Sequence, residues 1–87
     1  LVYDNVALGR NALRDHTEGS WNTAIGSDAL RSLSGGLRYS NTALGAGTMQ
    51  NMTTGSDNIA LGAFAMGQVV TGYANIAIGT NVMNSPG

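Results

Sequence analysis

Five times along the 87-residue chain the same five-residue phrase returns: "NVALG" from Asn5, "NTAIG" from Asn22, "NTALG" from Asn41, "NIALG" from Asn58 and "NIAIG" from Asn75. The copies are spaced by 17, 19, 17 and 17 residues. Each has Asn first, Ala third, Leu or Ile fourth and Gly fifth. A looser second half follows ("NALR", "DALR", "GTMQ", "FAMG", "NVMN"), and a T-x-G type stretch, such as "TTG" at 53–55 or "VTG" at 70–72, is expected to close the unit as a turn. The second unit carries two extra residues within "SLSGGLRYS", which is placed in a bulging loop. A period this short lies below the roughly 33–47 residues of helical repeats and the roughly 20–29 of leucine-rich repeats. It suits one coil of a β-solenoid: short strand, glycine corner, second short strand, second corner. "NALRD" and "DALRS" are helix-compatible alone, but the recurrent glycine is a poor helix former.

Stacked coils place equivalent residues about 4.8 Å apart, so equal positions need side chains that tolerate one another. Asn5, Asn22, Asn41, Asn58 and Asn75 are therefore expected to form an amide ladder, and Gly9, Gly26, Gly45, Gly62 and Gly79 to supply the corners. The fold class is all-β, a parallel β-solenoid of about five coils with 17–19 residues each. In a strand, phrase positions two and four share one face and positions one and three the other. Both faces are apolar or small, the pattern of a strand buried on two sides. A single thin coil covers one of them, and identical copies around a symmetry axis are the simplest cover for the other. Charge follows the same division: all nine Asp, Glu and Arg residues lie at or before Asp57, and Thr23 and Thr42 at position two give way to Ile59 and Ile76. Such a surface is prone to association.

Bulk properties narrow the function classes. The chain reads as one small domain, residues 1–87, with too little buried surface to be comfortable without added support. It has no cysteine, no lysine and a net charge of −1, which argues against a nucleic-acid or anionic-membrane partner. No apolar run approaches the roughly 20 residues that span a bilayer, so no membrane insertion is expected, and no signal peptide is visible. With 43% hydrophobic and only 10% charged residues, disorder is not expected. Thirteen glycines and eleven alanines imply a thin core with close backbones. The uncapped coils at both ends, and a chain that stops in mid-phrase, point to a piece of a longer protein.

The phrases "NTAIGSDAL", "NTALGAGTM…TTGSDNIALG" and "NIAIG" resemble the head repeats of trimeric fibre proteins, over essentially the whole chain from Asp4 to Met83. Two branches share such repeats, namely the tail fibres and tailspikes of bacteriophages and the YadA-like heads of bacterial trimeric autotransporter adhesins. The longer unit with "TTG" is closer to the phage type. The resemblance implies a left-handed parallel β-roll, a homotrimer with two further identical chains as partners, and an extracellular place on a virion tail or bacterial outer surface. It also implies a role as stalk, or as head attaching to a host or prey surface through a glycan. The 19-residue second unit departs from the pattern.

The residues offer little for catalysis. His16 beside Asp15, with Glu18 and Ser20, lies within a single turn, and a nucleophile, base and orienter rarely converge from so short a stretch. No metal or other cofactor is expected from one His and no Cys. "GAG" at 45–47 and "SGG" at 34–36 lack the lysine of a phosphate loop. The sequon Asn51-Met52-Thr53 matters only in a eukaryotic secretory setting. Tyr3, Tyr39 and Tyr73 each stand two residues before a ladder Asn, and Trp21 stands one before. Trp21, Arg38 and Tyr39, near the irregular loop, are the candidate receptor contacts; the competing role for these rings is to seal the seam between chains. Arg14 and Arg31 share a coil position near Asp15 and Asp28, as expected of solvated ion pairs. The chain is thus expected to be a non-enzymatic fibre segment. An ice-binding solenoid needs longer Thr arrays than Thr23 and Thr42 provide, and a glycan-degrading activity would lie outside these residues.

Overall fold

In the computed structural model, which describes residues 2–15, 19–34 and 40–83, every phrase folds as a three-residue strand that ends where glycine takes a positive φ. In chain order the strands are Val2–Tyr3 (β1), Val6–Leu8 (β2), Gly19–Ser20 (β3), Thr23–Ile25 (β4), Thr42–Leu44 (β5), Thr54–Ser56 (β6), Ile59–Leu61 (β7), Thr71–Tyr73 (β8) and Ile76–Ile78 (β9). The phrase strands make one five-stranded sheet in the order β2-β4-β5-β7-β9, and β1-β3 and β6-β8 make two small sheets. All pairings are parallel and join identical phrase positions, Ala7 to Ala24, Ala24 to Ala43, Ala43 to Ala60 and Ala60 to Ala77. Parallel neighbours need a crossover of roughly a dozen residues or more, commonly a helix. Among the described residues there is no helix, and the parallel strands stack as a β-solenoid.

The second half of each unit departs from the expected second strand. After each corner glycine the described chain runs through turns, with positive φ at alternate residues: Asn11 and Leu13, Asp28 and Leu30, Gly47 and Met49, Phe64 and Met66, Asn81 and Met83. A strand cannot carry that alternation. Coil-to-coil hydrogen bonding nevertheless continues, from Leu13 N–H to Ala29 C=O (3.0 Å), Leu30 to Thr48 (3.0 Å), Met49 to Ala65 (3.0 Å) and Met66 to Val82 (2.8 Å). The T-x-G stretches, expected as turns, hold the second strands instead. Gly55 shows why: a Cβ there would lie 2.6 Å from Met52 Sδ and 2.7 Å from the Gly72 carbonyl oxygen. Close approach, rather than a bend, requires that glycine. The added residues of the second unit fall between Ser34 and Ser40, whose N–H groups still donate to Thr53 and Ser20 carbonyls; "GGLRY" itself lies outside the described residues.

Two interior layers meet with unequal side chains. Ala24, Ala43, Ala60 and Ala77 line the sheet side without solvent contact, and Leu30, Leu33, Met49, Met52 and Met66 fill from the opposite side. The corner column is similarly tight: at Gly26, with φ 129°, an added Cβ would stand 2.5 Å from the Gly45 carbonyl carbon. Beside the alanines runs the amide ladder. The Asn22 backbone N–H and Nδ2 donate to Asn5 Oδ1 (2.9 and 3.2 Å), and Asn41 donates likewise to Asn22 (both 3.1 Å). Asn58 donates to Asn41 (3.2 and 3.0 Å) and Asn75 to Asn58 (3.0 and 3.1 Å). The second Nδ2 proton of Asn41 goes to Gly55 C=O (2.9 Å), and that of Asn58 to Gly72 C=O (2.8 Å). Asn22, Asn41 and Asn58 are fully buried, so their polar atoms depend on partners within the stack.

Removing one rung leaves buried donors and acceptors of its neighbours unpaired, each at about 1–3 kcal/mol. Asn41→Ala is expected to lower stability by about 3 kcal/mol or more, read as the shift in the urea unfolding midpoint. Asn5→Ala, at the open end of the ladder, is expected to cost distinctly less.

Candidate functional site

Because Asn and Ala occupy the inner face of the five-stranded sheet, phrase positions two and four point outward. That outer face carries two rows, Val6-Thr23-Thr42-Ile59-Ile76 and Leu8-Ile25-Leu44-Leu61-Ile78, aligned by the strand register. Its aliphatic residues are widely exposed in the single chain: Val6 52%, Leu8 65%, Leu44 43%, Ile59 42%, Leu61 45%, Ile76 67% and Ile78 64%. No charged residue occupies either row. Isolated exposed aliphatics are ordinary, whereas here seven exposed aliphatic side chains lie in two adjacent rows. The sequence indicated two apolar faces without indicating which lies inside. Packing decides it, since only alanine fits where sheet and opposing layer come so close.

The aromatic corner is less concentrated than the sequence positions imply. Trp21 is 67% exposed and has φ 63°. A positive φ in a bulky residue often flags function. Here the position before the ladder Asn has it in every coil, with Asp4 at 55°, Ser40 at 80°, Asp57 at 60° and Ala74 at 55°, so coil geometry imposes it. Tyr73 is exposed too, but it stands in the neighbouring column at β8, three coils from Trp21. Tyr3 lies in β1, and Arg38 and Tyr39 fall outside the described residues. Of the three candidate receptor contacts, the described residues therefore place Trp21 alone, as an exposed ring. Phe64, which the sequence did not single out, lies half-exposed against Gly47, whose missing Cβ makes room for the ring.

The charged corner forms small ion pairs. Arg14 Nε and Nη2 donate to the two Asp15 carboxylate oxygens at 3.0 and 3.3 Å. Asp28 accepts from Asn11 Nδ2 at 3.1 Å, and its carboxylate stands 3.8 Å from the Arg31 guanidinium. The hydrogen bond from Arg14 holds the Asp15 carboxyl below the usual carboxylate range, and the same bond raises Arg14. Both groups are solvated, so the pair does little for stability. His16 and Glu18 lie outside the described residues, and Ser20 is in β3. Among the described residues, no three His, Cys, Asp or Glu side chains gather as metal ligands, and no helix is long and apolar enough to cross a membrane.

Asp15→Asn is expected to shift the urea midpoint at neutral pH only slightly. A lowered folded-state pKa contributes stability above the unfolded pKa and loses it as pH falls through the folded value. The small difference between variant and parent is therefore expected to vanish on acidification. Comparison of the chain with protein-family models, with curated proteins and with solved structures finds no match.

Proposed function

We propose that this chain is a segment of a homotrimeric fibre on a virion tail or bacterial outer surface, serving attachment to a host or prey cell. Three solenoids pack side by side through the aliphatic face of the five-stranded sheet, so that each copy covers the others. The observation that carries this reading is the uncharged aliphatic face itself, which a lone chain leaves in water. The resemblance of the phrases to trimeric fibre heads of phage or YadA-like type supports the same assembly, and with it a left-handed coil. Thinness supports it further: the chain measures 31 × 24 × 16 Å, and its inner sheet face is largely alanine, so association adds apolar burial that folding alone does not supply.

On this reading the segment performs no reaction, and its outward corner is the surface open to a receptor. A glycan suits the exposed Trp21 ring, with the hydroxyl of Ser40 and the carboxylates of Asp4 and Asp57 in its column. Exposed aromatic faces beside polar groups stack on the apolar faces of sugar rings. The alternative is a spacer without receptor contact, favoured by the wide separation of Trp21 and Tyr73. An ice-binding face is disfavoured, because Val6, Ile59 and Ile76 interrupt the row that holds Thr23 and Thr42.

Light scattering on the 87-residue chain is expected to give three times the 8.9 kDa chain mass. A monomer at micromolar concentration would contradict the assembly. On a glycan array, Trp21→Ala is expected to abolish the signal of the parent chain; an array blank for both proteins identifies a spacer.

A further inference from the structure

We infer that the corner around Trp21 takes an amine-bearing sugar, a hexosamine whose nitrogen is free and protonated, and rejects acidic sugars. The inference rests on the glycan reading proposed above and names the ligand class of that same corner. The position before each ladder Asn is held in chain order by Asp4, Trp21, Ser40, Asp57 and Ala74. Register sets these residues in one column. Tyr3 pairs with Ser20 and Val6 with Thr23, so Asp4 stands one coil before Trp21. Thr23 pairs with Thr42 and Thr42 with Ile59, so Ser40 follows and Asp57 stands two coils beyond Trp21. At about 4.8 Å per coil, the two aspartates lie on either side of Trp21, about 5 Å and about 10 Å along the column.

The charge of this column is uncompensated. Of the four aspartates, Asp15 is bonded to Arg14 and Asp28 stands beside Arg31. Asp4 and Asp57 are exposed, and neither has a hydrogen bond or ion pair among the described residues. Arg10, Arg14 and Arg31, the cations among the described residues, all lie past a corner glycine, at the other end of the phrase strands. Asp tolerates a positive φ better than most residues do, but a bulky ring does not. Trp21 holds φ 63° while 67% exposed, so neither the backbone nor packing within the chain requires it. A tryptophan face attracts a cation through its quadrupole, and a carboxylate one coil away attracts the same cation. A protonated sugar amine satisfies both while the apolar face of the sugar stacks on the ring. An N-acetylated sugar keeps the stacking and loses the charge. A sialylated one brings like charge to Asp4 and Asp57.

Titration calorimetry on the 87-residue chain separates these ligands. The probes are a glucosamine tetrasaccharide, its fully N-acetylated form, a sialylated trisaccharide and, as a cation without a sugar, tetralysine. The parent chain is compared with Trp21→Ala and with Asp4→Asn and Asp57→Asn together. Asn suits a positive φ as Asp does, so this exchange removes charge and leaves the coil, which the urea midpoint verifies.

The parent is expected to bind the free-amine tetrasaccharide at least about fivefold more tightly than the N-acetylated form. The double asparagine variant is expected to bring that ratio below about twofold. Trp21→Ala is expected to abolish binding of both at unchanged oligomeric mass. An N-acetylated form bound as tightly, a preference for the sialylated probe, or a preference that survives the asparagines overturns the inference and leaves the glycan reading standing. Tetralysine bound as tightly as the amino sugar also overturns it, because the corner is then a general cation site. No binding to any probe overturns the inference, and a blank glycan array overturns the glycan reading as well. Sugar binding that Trp21→Ala leaves intact, or an oligomeric mass that it lowers, overturns both, the lowered mass because the ring then seals the seam between copies.

Discussion

Asn22, Asn41 and Asn58 sit without solvent in the middle of the stack, and the Oδ1 of each accepts two N–H groups from the coil that follows. That chelate needs a side-chain carbonyl one methylene from the backbone and an amide that donates in the opposite direction, which asparagine alone supplies. A slip of one residue between coils would bury unpaired amides and carbonyls together. The ladder therefore holds every other column at the same level: glycine over glycine at the corner, alanine over alanine inside, aliphatic over aliphatic outside.

Register and thinness have a joint consequence. Alanine on the inner side of the sheet lets the opposing layer come close, but it buries little area per residue, and the larger aliphatic side chains of the same strands are left outside. Hydrogen bonds between coils supply order with a modest net gain each. In the proposed assembly, burial of the outer rows between copies supplies the missing apolar term, as is common in repeat architectures whose single units cannot bury all their apolar surface.

Much of this was legible in the residues because the architecture is periodic. Five copies of one phrase specify the stacking partner of every residue, and the observed pairings join the same phrase positions, Val6 to Thr23 and onward to Ile76. What lay beyond the sequence was conformation within the unit. "NALRD" and "TTG" carry no pattern that distinguishes strand from turn, and the alternating positive φ of Asn11 and Leu13 is stabilised by coil-to-coil hydrogen bonds that no local preference encodes. The glycine of "TTG" has the composition of a turn, but its reason is Met52 and Gly72 pressing on its Cα. For the candidate site, the spacing of Trp21 and Tyr73 marked an aromatic corner, and the coil geometry spreads those rings apart along the stack.

Amide hydrogen exchange, resolved residue by residue, tests the ladder most directly. The backbone N–H groups of Asn41 and Asn58 and their Nδ2 protons are expected to exchange slowest in the chain, with protection falling toward Asn5 and Asn75. Rapid exchange at Asn41 and Asn58, on the scale of the exposed turns, would contradict the buried ladder and the stacking that depends on it.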